Sequence, residues 1–268
     1  MSRPTRALGA LLAAFLLVAG LAPAQENPPD HYLCYGAGTA ASKKRPPVGK
    51  ARVALQDRYG GPQRFAVRRF AALCNPASLE GGAVSHPNVH LEGLTIKTEK
   101  GAPKFVPLTQ AVTDVFATWT LALPEPAALL DVTPVQPGTN APADFSDDPT
   151  NTGTETNRFK CYAAILPKGA PKLVPPPPPT VTDEVFPNGQ QFLVKKVTKI
   201  CVPADADGAT PGAAARDTLL VCYGVTLPKG ARFPRQMVGT RSRTVGVRIV
   251  GRRKPTELCV TGRVFPGS

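Results

Sequence analysis

The sequence predicts an all-β protein made of small β-sheet units that disulfides staple. The chain has 31 prolines and 24 glycines, which disfavour long helices and favour short strands joined by turns. Residues 161–172 recur in looser form at 222–232 and 93–104, and a further copy begins at Cys34. Because polarity alternates around these copies, each is expected to contain strands.

Four units follow one another, and we expect them to pair into two β-sandwich-like domains. The predicted domains are 25–132 and 158–268, separated by a polar, proline-rich linker at 133–157. Units 1 to 4 are placed at about 31–76, 90–132, 157–203 and 217–264. Their middle strands are predicted at 52–55, 110–115, 180–185 and 244–250.

The first 24 residues have the pattern of a signal peptide. Arg3 and Arg6 precede an apolar run at 7–21, and Ala22 and Ala24 supply the small residues of a cleavage site. We expect cleavage after Ala24 and a protein secreted to the periplasm or the extracellular space. Nothing later in the sequence is apolar enough to span a bilayer, so no membrane span is expected in the mature chain.

All six cysteines lie in the exported part, where disulfides persist. Unit 2 has Gly93 and Leu130 at the two cysteine positions, so both cysteines are missing together. This joint loss predicts that each bond forms within its own unit. The predicted bonds are Cys34–Cys74, Cys161–Cys201 and Cys222–Cys259. Closing loops of 40, 40 and 37 residues in the unfolded chain is worth roughly 4 kcal/mol each.

The residues around the first cysteine of each unit predict which strand face is the core. The position two residues before it is always apolar, and it shares a face with the cysteine. The position after it points the other way and is expected to pack against a second layer. The core positions are Tyr32, Leu91, Phe159 and Leu220, and the second set is Tyr35, Leu94, Tyr162 and Tyr223.

These units resemble a family of secreted bacterial proteins built on a domain of unknown function. The family pattern reads His-x-x-Cys-Tyr near the start of a unit and Leu-Cys-x-Pro near its end. The match covers roughly residues 31–264, but unit 2 lacks both cysteines and unit 4 ends without the proline. The resemblance implies a secreted modular domain and supplies no catalytic residues. The matching residues are His31, Cys34, Tyr35, Leu73, Cys74, Pro76, Cys161, Tyr162, Cys201 and Pro203.

Motifs for chemistry are scarce, so we expect a non-enzymatic structural or binding module without a cofactor or metal. The sequence has no H-E-x-x-H, G-x-S-x-G or P-loop pattern. His31 and His90 occupy the same unit position and are expected to be structural. The carboxylate pairs Asp147–Asp148, in the linker, and Asp183–Glu184, where Asp183 aligns with Asp114 in a middle strand, are expected to be solvated.

Basic residues are the one recurrent polar feature. The chain has a net charge of +13, and residues 222–268 hold ten Lys/Arg against one Asp/Glu. The alternative function is therefore a binder of anionic polymer or of a cell-surface component through unit 4. Its candidate anion-binding residues are Arg241, Arg243, Arg248, Arg252, Arg253 and Lys254. Basic pairs before the second cysteine, Arg68–Arg69, Lys195–Lys196 and Arg253–Lys254, are either an anion-binding ridge or charges that protect an edge strand.

Overall fold

Antiparallel strands make up most of this computed structural model, which describes residues 29–39, 48–141 and 158–265. Fifteen strands join in one sheet. Among these residues the one helical element is a short 3₁₀ helix, Ala213–Ala215. The all-β prediction is confirmed. The predicted signal peptide lies outside the described residues.

Each unit contains a first strand, a last strand and a variable middle. The first strands are β1 (His31–Gly38), β4 (His90–Thr98), β9 (Phe159–Ala163) and β13 (Thr218–Thr226). The last strands are β3 (Gly60–Leu79), β7 (Pro126–Thr133), β12 (Leu193–Ala206) and β15 (Gly246–Val264). The others are β2 (Arg52–Asp57), β5 (Leu108–Asp114), β6 (Thr118–Leu123), β8 (Val135–Pro137), β10 (Thr180–Thr182), β11 (Gln190–Gln191) and β14 (Gln236–Ser242).

The eight first and last strands form a closed ring in chain order. Each pairs with the strand before and after it, from β1 and β3 round to β13 and β15. The ring closes where β15 pairs with β1, with Cys259 opposite Tyr32. Closure leaves these strands without an open edge in the ring, so their backbone groups find partners within the sheet.

The alternation of side chains places one set inside the ring and the other outside, as predicted. Tyr32, Leu91, Phe159 and Leu220 pack inside in one cluster with all six cysteines. Tyr35, Tyr162 and Tyr223 pack outside against the middle strands, and so does Leu94. Because the pleat has a period of two, the residue next to an inward cysteine must face outward.

The three predicted disulfides are confirmed. Cys34–Cys74, Cys161–Cys201 and Cys222–Cys259 each join the first and last strand of one unit. Neighbouring bonds touch inside the ring, where the Sγ atoms of Cys34 and Cys259 lie 3.9 Å apart, as do those of Cys201 and Cys222. The sulfur atoms therefore form one nearly continuous layer across the ring interior.

The pairing of units differs from the predicted pair of sandwich-like domains. β7 of unit 2 pairs with β9 of unit 3, so the sheet crosses the boundary that we placed at 133–157. Within that stretch β8 pairs with β14, while 142–157 lie outside the described residues. The physical reason is that two units alone would leave backbone N–H and C=O groups unpaired at the edges of their sheet. Four units can close into a ring, which pairs these groups.

Three of the four predicted middle strands lie close to their predicted positions, in β2, β5 and β10. The stretch predicted for unit 4, 244–250, is a strand from Gly246 onward, but it is the start of β15 and not a separate middle strand. Residues 243–245 form a turn between β14 and β15, and Gly246 has a φ of 71°. The backbone N–H of Val245 donates to Ser242 Oγ at 3.2 Å, which stabilises this turn. The apolar alternation seen there belongs to the start of β15.

Candidate functional site

One end of the ring opens into a cavity of about 950 Å³. We call it the ring mouth. All four units contribute residues to its lining. The lining residues are Gly36, Ala37, Ala71, Ala72, Gly93, Thr95, Ala127, Ala128, Thr198, Lys199, Arg253, Lys254, Thr256 and Glu257.

Small residues at inward positions create the mouth. Gly36 lies two residues after its cysteine, and Ala72 lies two residues before its cysteine, so both face inward. A Cβ at Gly93 would meet the Cβ of Ala72 at 3.2 Å, which is tighter than ordinary contact. A large side chain at these positions would fill the opening. The disulfide layer thus fills one part of the ring interior, and the part next to it, toward Gly36 and Gly93, is left open as the mouth.

An ion pair lies in the wall of the mouth. Lys199 Nζ is 2.6 Å from Glu257 Oε2, and both side chains are less than one-fifth exposed. The Thr198 hydroxyl donates to the other carboxylate oxygen of Glu257 at 2.8 Å. The Glu257 carboxylate is therefore neutralised and hydrogen-bonded within the wall. The other charged lining residues, Arg253 and Lys254, are both cations.

The three basic pairs occupy bulges at the junctions between units. The register of β3 shifts at Arg68, and that of β12 shifts across Lys195 and Lys196. β15 bulges at Arg253 and Lys254, which lie between the partners of Tyr35 and Ala37. A bulge adds an unpaired residue and re-aims its side chain. The bulges thus turn the basic pairs out of the regular ladder at one end of the ring.

Each basic pair lies beside the first strand of the next unit. A Cβ at Gly36 would meet Arg253 Cβ at 3.7 Å, and a Cβ at Gly224 would meet Lys195 Cβ at 3.8 Å. Arg69 pairs with Thr95 in the same way. The three pairs therefore take equivalent places in their units, and Arg253 and Lys254 line the mouth. Arg68, Arg69, Lys195, Lys196 and Lys254 are exposed, while Arg253 is half-buried.

The fourth junction departs from this pattern. Unit 2 has Glu125 before a bulge in β7 between Pro126 and Ala128. The backbone N–H of Ala163 donates to the carbonyl of Glu125 at 3.2 Å. The ring is consequently basic at three junctions and acidic at the junction of units 2 and 3. The charge at the junction of units 2 and 3 is therefore opposite in sign to that at the other three junctions.

Both interpretations of the basic pairs stay predictions. β3, β12 and β15 belong to the closed ring, but β1 pairs with β3 only from Ala72 and β9 pairs with β12 only from Lys199. Arg68–Arg69 and Lys195–Lys196 therefore lie beyond these two ladders, where charges can protect a strand edge or bind an anion.

The candidate anion-binding residues of unit 4 fall into two groups rather than one patch. Arg253 and Lys254 line the mouth. Arg241, Arg243 and Arg248 lie near the turn of the β14–β15 hairpin, where Arg248 Nη2 donates to the carbonyl of Val245.

Arg252 belongs to neither group. Its side chain is 3% exposed, and its guanidinium contacts Glu184 and donates to Gln236 Oε1 at 3.1 Å. Burial and this ion pair remove Arg252 from any exposed anion site. The prediction that Arg252 binds an anion is wrong, because the sequence alone did not show that its side chain is buried against Glu184 and Gln236.

Tyrosine–aspartate pairs connect opposite units, and sequence reasoning missed them. The Tyr35 hydroxyl of unit 1 donates to Asp183 of unit 3 at 2.6 Å, and the Tyr223 hydroxyl of unit 4 donates to Asp114 of unit 2 at 2.6 Å. In return Tyr162 of unit 3 donates to Asp57 of unit 1. The expectation that the Asp183–Glu184 pair is solvated is wrong for Asp183, which is buried, while Asp147 and Asp148 lie outside the described residues.

Burial is the main cause of the shifted pKa values of these tyrosines and of Asp114. It raises the pKa of Tyr35, Tyr162 and Tyr223 far above the usual tyrosine value, and the neighbouring carboxylates add to the effect. Burial also raises the pKa of Asp114, although the hydrogen bond from Tyr223 works against the rise. The pairs therefore hold neutral phenols against carboxylates, which is a structural rather than a catalytic arrangement.

The two histidines at strand starts make structural contacts. The backbone N–H of Thr261 donates to His31 Nδ1 at 3.0 Å, and burial lowers the pKa of His31. His90 Nε2 lies 3.3 Å from Glu184 Oε1. Across residues 29–39, 48–141 and 158–265, three or more candidate ligands do not come together in a metal-binding group. Helices long and apolar enough to cross a membrane are likewise not found in the described part of the chain.

Comparison with protein-family models, curated proteins and solved structures gives no match to this chain. The resemblance to a secreted repeat family stays a prediction from the sequence. The geometry of the ring mouth is thus the main guide to function.

Proposed function

We propose that this chain is an exported, non-enzymatic binding module of four repeat units whose ring mouth binds an anionic polymer. The observation that carries the proposal is that three basic pairs, from three different units, occupy equivalent bulges of the ring, and that one of them, Arg253–Lys254, lines the mouth. Guanidinium and ammonium groups suit carboxylate, sulfate and phosphate.

The ionisable groups of the mouth favour binding over catalysis. Lys199 and Glu257 are engaged with each other, and the remaining lining charges, Arg253 and Lys254, are cations. General acid–base catalysis needs a group whose pKa is tuned near the working pH and whose proton can reach substrate. An ion pair flanked by cations instead offers a fixed positive surface.

Export is supported by the leader pattern and by the disulfides. Arg3, Arg6 and the apolar run at 7–21 have the order of a signal peptide. Three disulfides are expected in an oxidising compartment. N-terminal sequencing of protein recovered outside the cytoplasm should begin at Gln25, within a residue or two. A protein that begins at Met1 or Ser2 would contradict export.

Binding through the mouth is tested by a matched pair of triple variants. The first, Arg69→Gln/Lys196→Gln/Lys254→Gln, removes one charge from each basic junction. The second, Arg241→Gln/Arg243→Gln/Arg263→Gln, removes the same charge at the hairpin and at the far end of β15. Both are compared with the wild type by elution from immobilised heparin in a salt gradient, since polyanion binding weakens with salt.

The mouth variant should elute at clearly lower salt, and the second variant should elute close to the wild type. Equal elution of all three proteins would overturn the proposal. A shift confined to the second variant would move the binding surface to the hairpin of unit 4 and would equally overturn it. Circular dichroism of each protein checks that the strands are retained.

A further inference from the structure

The ring mouth is a blind cavity. Below it the ring is filled by the disulfide layer and then by large side chains, of which Tyr32, Leu91 and Phe159 are at most 1% exposed. A ligand that enters from the rim therefore stops at this layer. The cavity volume of about 950 Å³ falls in the range of roughly 300–1,000 Å³ that is typical of sites for small ligands. A polymer cannot pass through the ring, although its end can enter.

The lining chemistry suits a hydroxylated ligand. The Thr198 and Thr256 hydroxyls donate their protons within the wall and keep lone pairs that can accept, and the Lys199 ammonium has donors beyond its contact with Glu257. Arg253 and Lys254 add cationic groups to the same lining, and such groups pair with the carboxylates of an acidic sugar.

Nucleic acid fits the lining less well. Proteins that bind single strands without sequence preference stack the bases on aromatic side chains. The residues that line the mouth are glycine, alanine, threonine and charged residues, and an aromatic platform is not among them. An acidic polysaccharide needs no such platform, because its sugars offer hydroxyls and its acid groups meet cations.

Resting on the proposed function, we propose that the mouth takes an acidic polysaccharide end-on. The terminal sugar lies in the cavity above the disulfide layer, and the first acid groups of the chain meet Arg253 and Lys254 at the rim. The remaining basic pairs, Arg68–Arg69 and Lys195–Lys196, attract the chain toward the opening. The walls of four units then limit each mouth to one chain end.

The stoichiometry of binding tests this arrangement on the wild-type protein. Isothermal titration with galacturonic acid oligosaccharides of four, eight and sixteen sugars should give one protein per chain at every length. Affinity should change by less than about threefold beyond the shortest chain that fills the site. A number of bound proteins that grows in proportion to chain length would show lateral binding and overturn the end-on arrangement.

A filling variant gives a second, independent test. Ala72→Leu/Ala128→Leu narrows the cavity without a change of charge, and Ala83→Leu adds the same side chain at an exposed loop position. The filling variant should bind the four-sugar ligand at least tenfold more weakly, while Ala83→Leu binds as the wild type does. Wild-type affinity in the filling variant would contradict the inference.

The outcomes separate the two proposals. If the mouth variant Arg69→Gln/Lys196→Gln/Lys254→Gln loses binding and the filling variant does not, anion binding at the mouth stands and end-on entry fails. If neither variant changes binding, both proposals fail. A single-stranded DNA 20-mer serves as the comparison ligand, and a tighter complex with DNA than with the oligosaccharides would overturn the assignment to polysaccharide.

Discussion

Gly93 and Leu130 face each other across β4 and β7. In each of the other three units, a disulfide joins the first and last strands at this place. The two cysteines of each disulfide are likewise direct partners across their strands. Unit 2 thus keeps the strand pairing and lacks only the bond. Its neighbours in the ring, β3 and β9, supply the support that the missing bond would give.

A fourth disulfide is the first prediction. Gly93→Cys/Leu130→Cys should form a bond between β4 and β7 and raise the free energy of unfolding. The gain should be below the roughly 4 kcal/mol of the entropy model, because a Cβ at Gly93 meets Ala72 Cβ at 3.2 Å. Urea unfolding with and without reductant measures it. Ala72→Gly in the same background should increase the gain, and free thiols at 93 and 130 under oxidising conditions would contradict the pairing.

The tyrosine–aspartate pairs give the second prediction. Tyr35→Phe leaves Asp183 Oδ2 with one side-chain donor fewer, because Asn75 Nδ2, at 2.9 Å, is then the side-chain donor that stays. The loss of a buried hydrogen bond to a charged group should lower the free energy of unfolding by about 1–3 kcal/mol. Urea unfolding is the measurement. The control Tyr59→Phe removes a part-buried hydroxyl and should cost less; equal costs would argue against a special role for the pair.

The third prediction concerns Glu92, which lies fully buried opposite Asp131. Burial raises the pKa of Glu92 well above its usual value, the charge of Asp131 adds to this, and Ser242 and Arg248 work against it. The folded state therefore holds this proton more tightly than the unfolded state. Its contribution to stability is present below the unfolded pKa and is lost as pH rises toward the folded pKa, by up to about 1.4 kcal/mol per pH unit.

Glu92→Gln should accordingly remove this loss. The variant should gain stability relative to the wild type as pH rises from 5 to 8, and the difference should shrink toward pH 5. Urea midpoints across that range measure it. His31, whose lowered pKa causes a loss of stability at acid pH, is shared by both proteins and cancels in the difference. A difference that is constant with pH would contradict the raised pKa of Glu92.

The strand faces and the disulfides could be predicted because they depend on local information. Alternation with a period of two assigns Tyr32 and Cys34 to one face and Tyr35 to the other, whatever the partner strand is. The joint absence of cysteine at 93 and 130 identified the bonded pairs. Neither inference needed to know how the units are arranged.

Closure of the ring could not be predicted, because it depends on contacts between distant parts of the chain. Nothing local to His31 indicates that β1 pairs with β15, more than 200 residues later. The same is true of Tyr35 and Asp183, which are separated by 148 residues. The spacing of the basic pairs was visible in the sequence, but their place at bulges of the ring depends on the register of paired strands.

Amide shifts in nuclear magnetic resonance test most directly whether the ring mouth binds an anionic polymer. Glycine amides mark both regions: Gly36 and Gly93 line the mouth, and Gly246 marks the hairpin of unit 4. Titration with a galacturonic acid oligosaccharide at low salt should shift Gly36 and Gly93 and leave Gly246 in place. Shifts confined to Gly246, or unchanged spectra throughout the titration, would contradict the account.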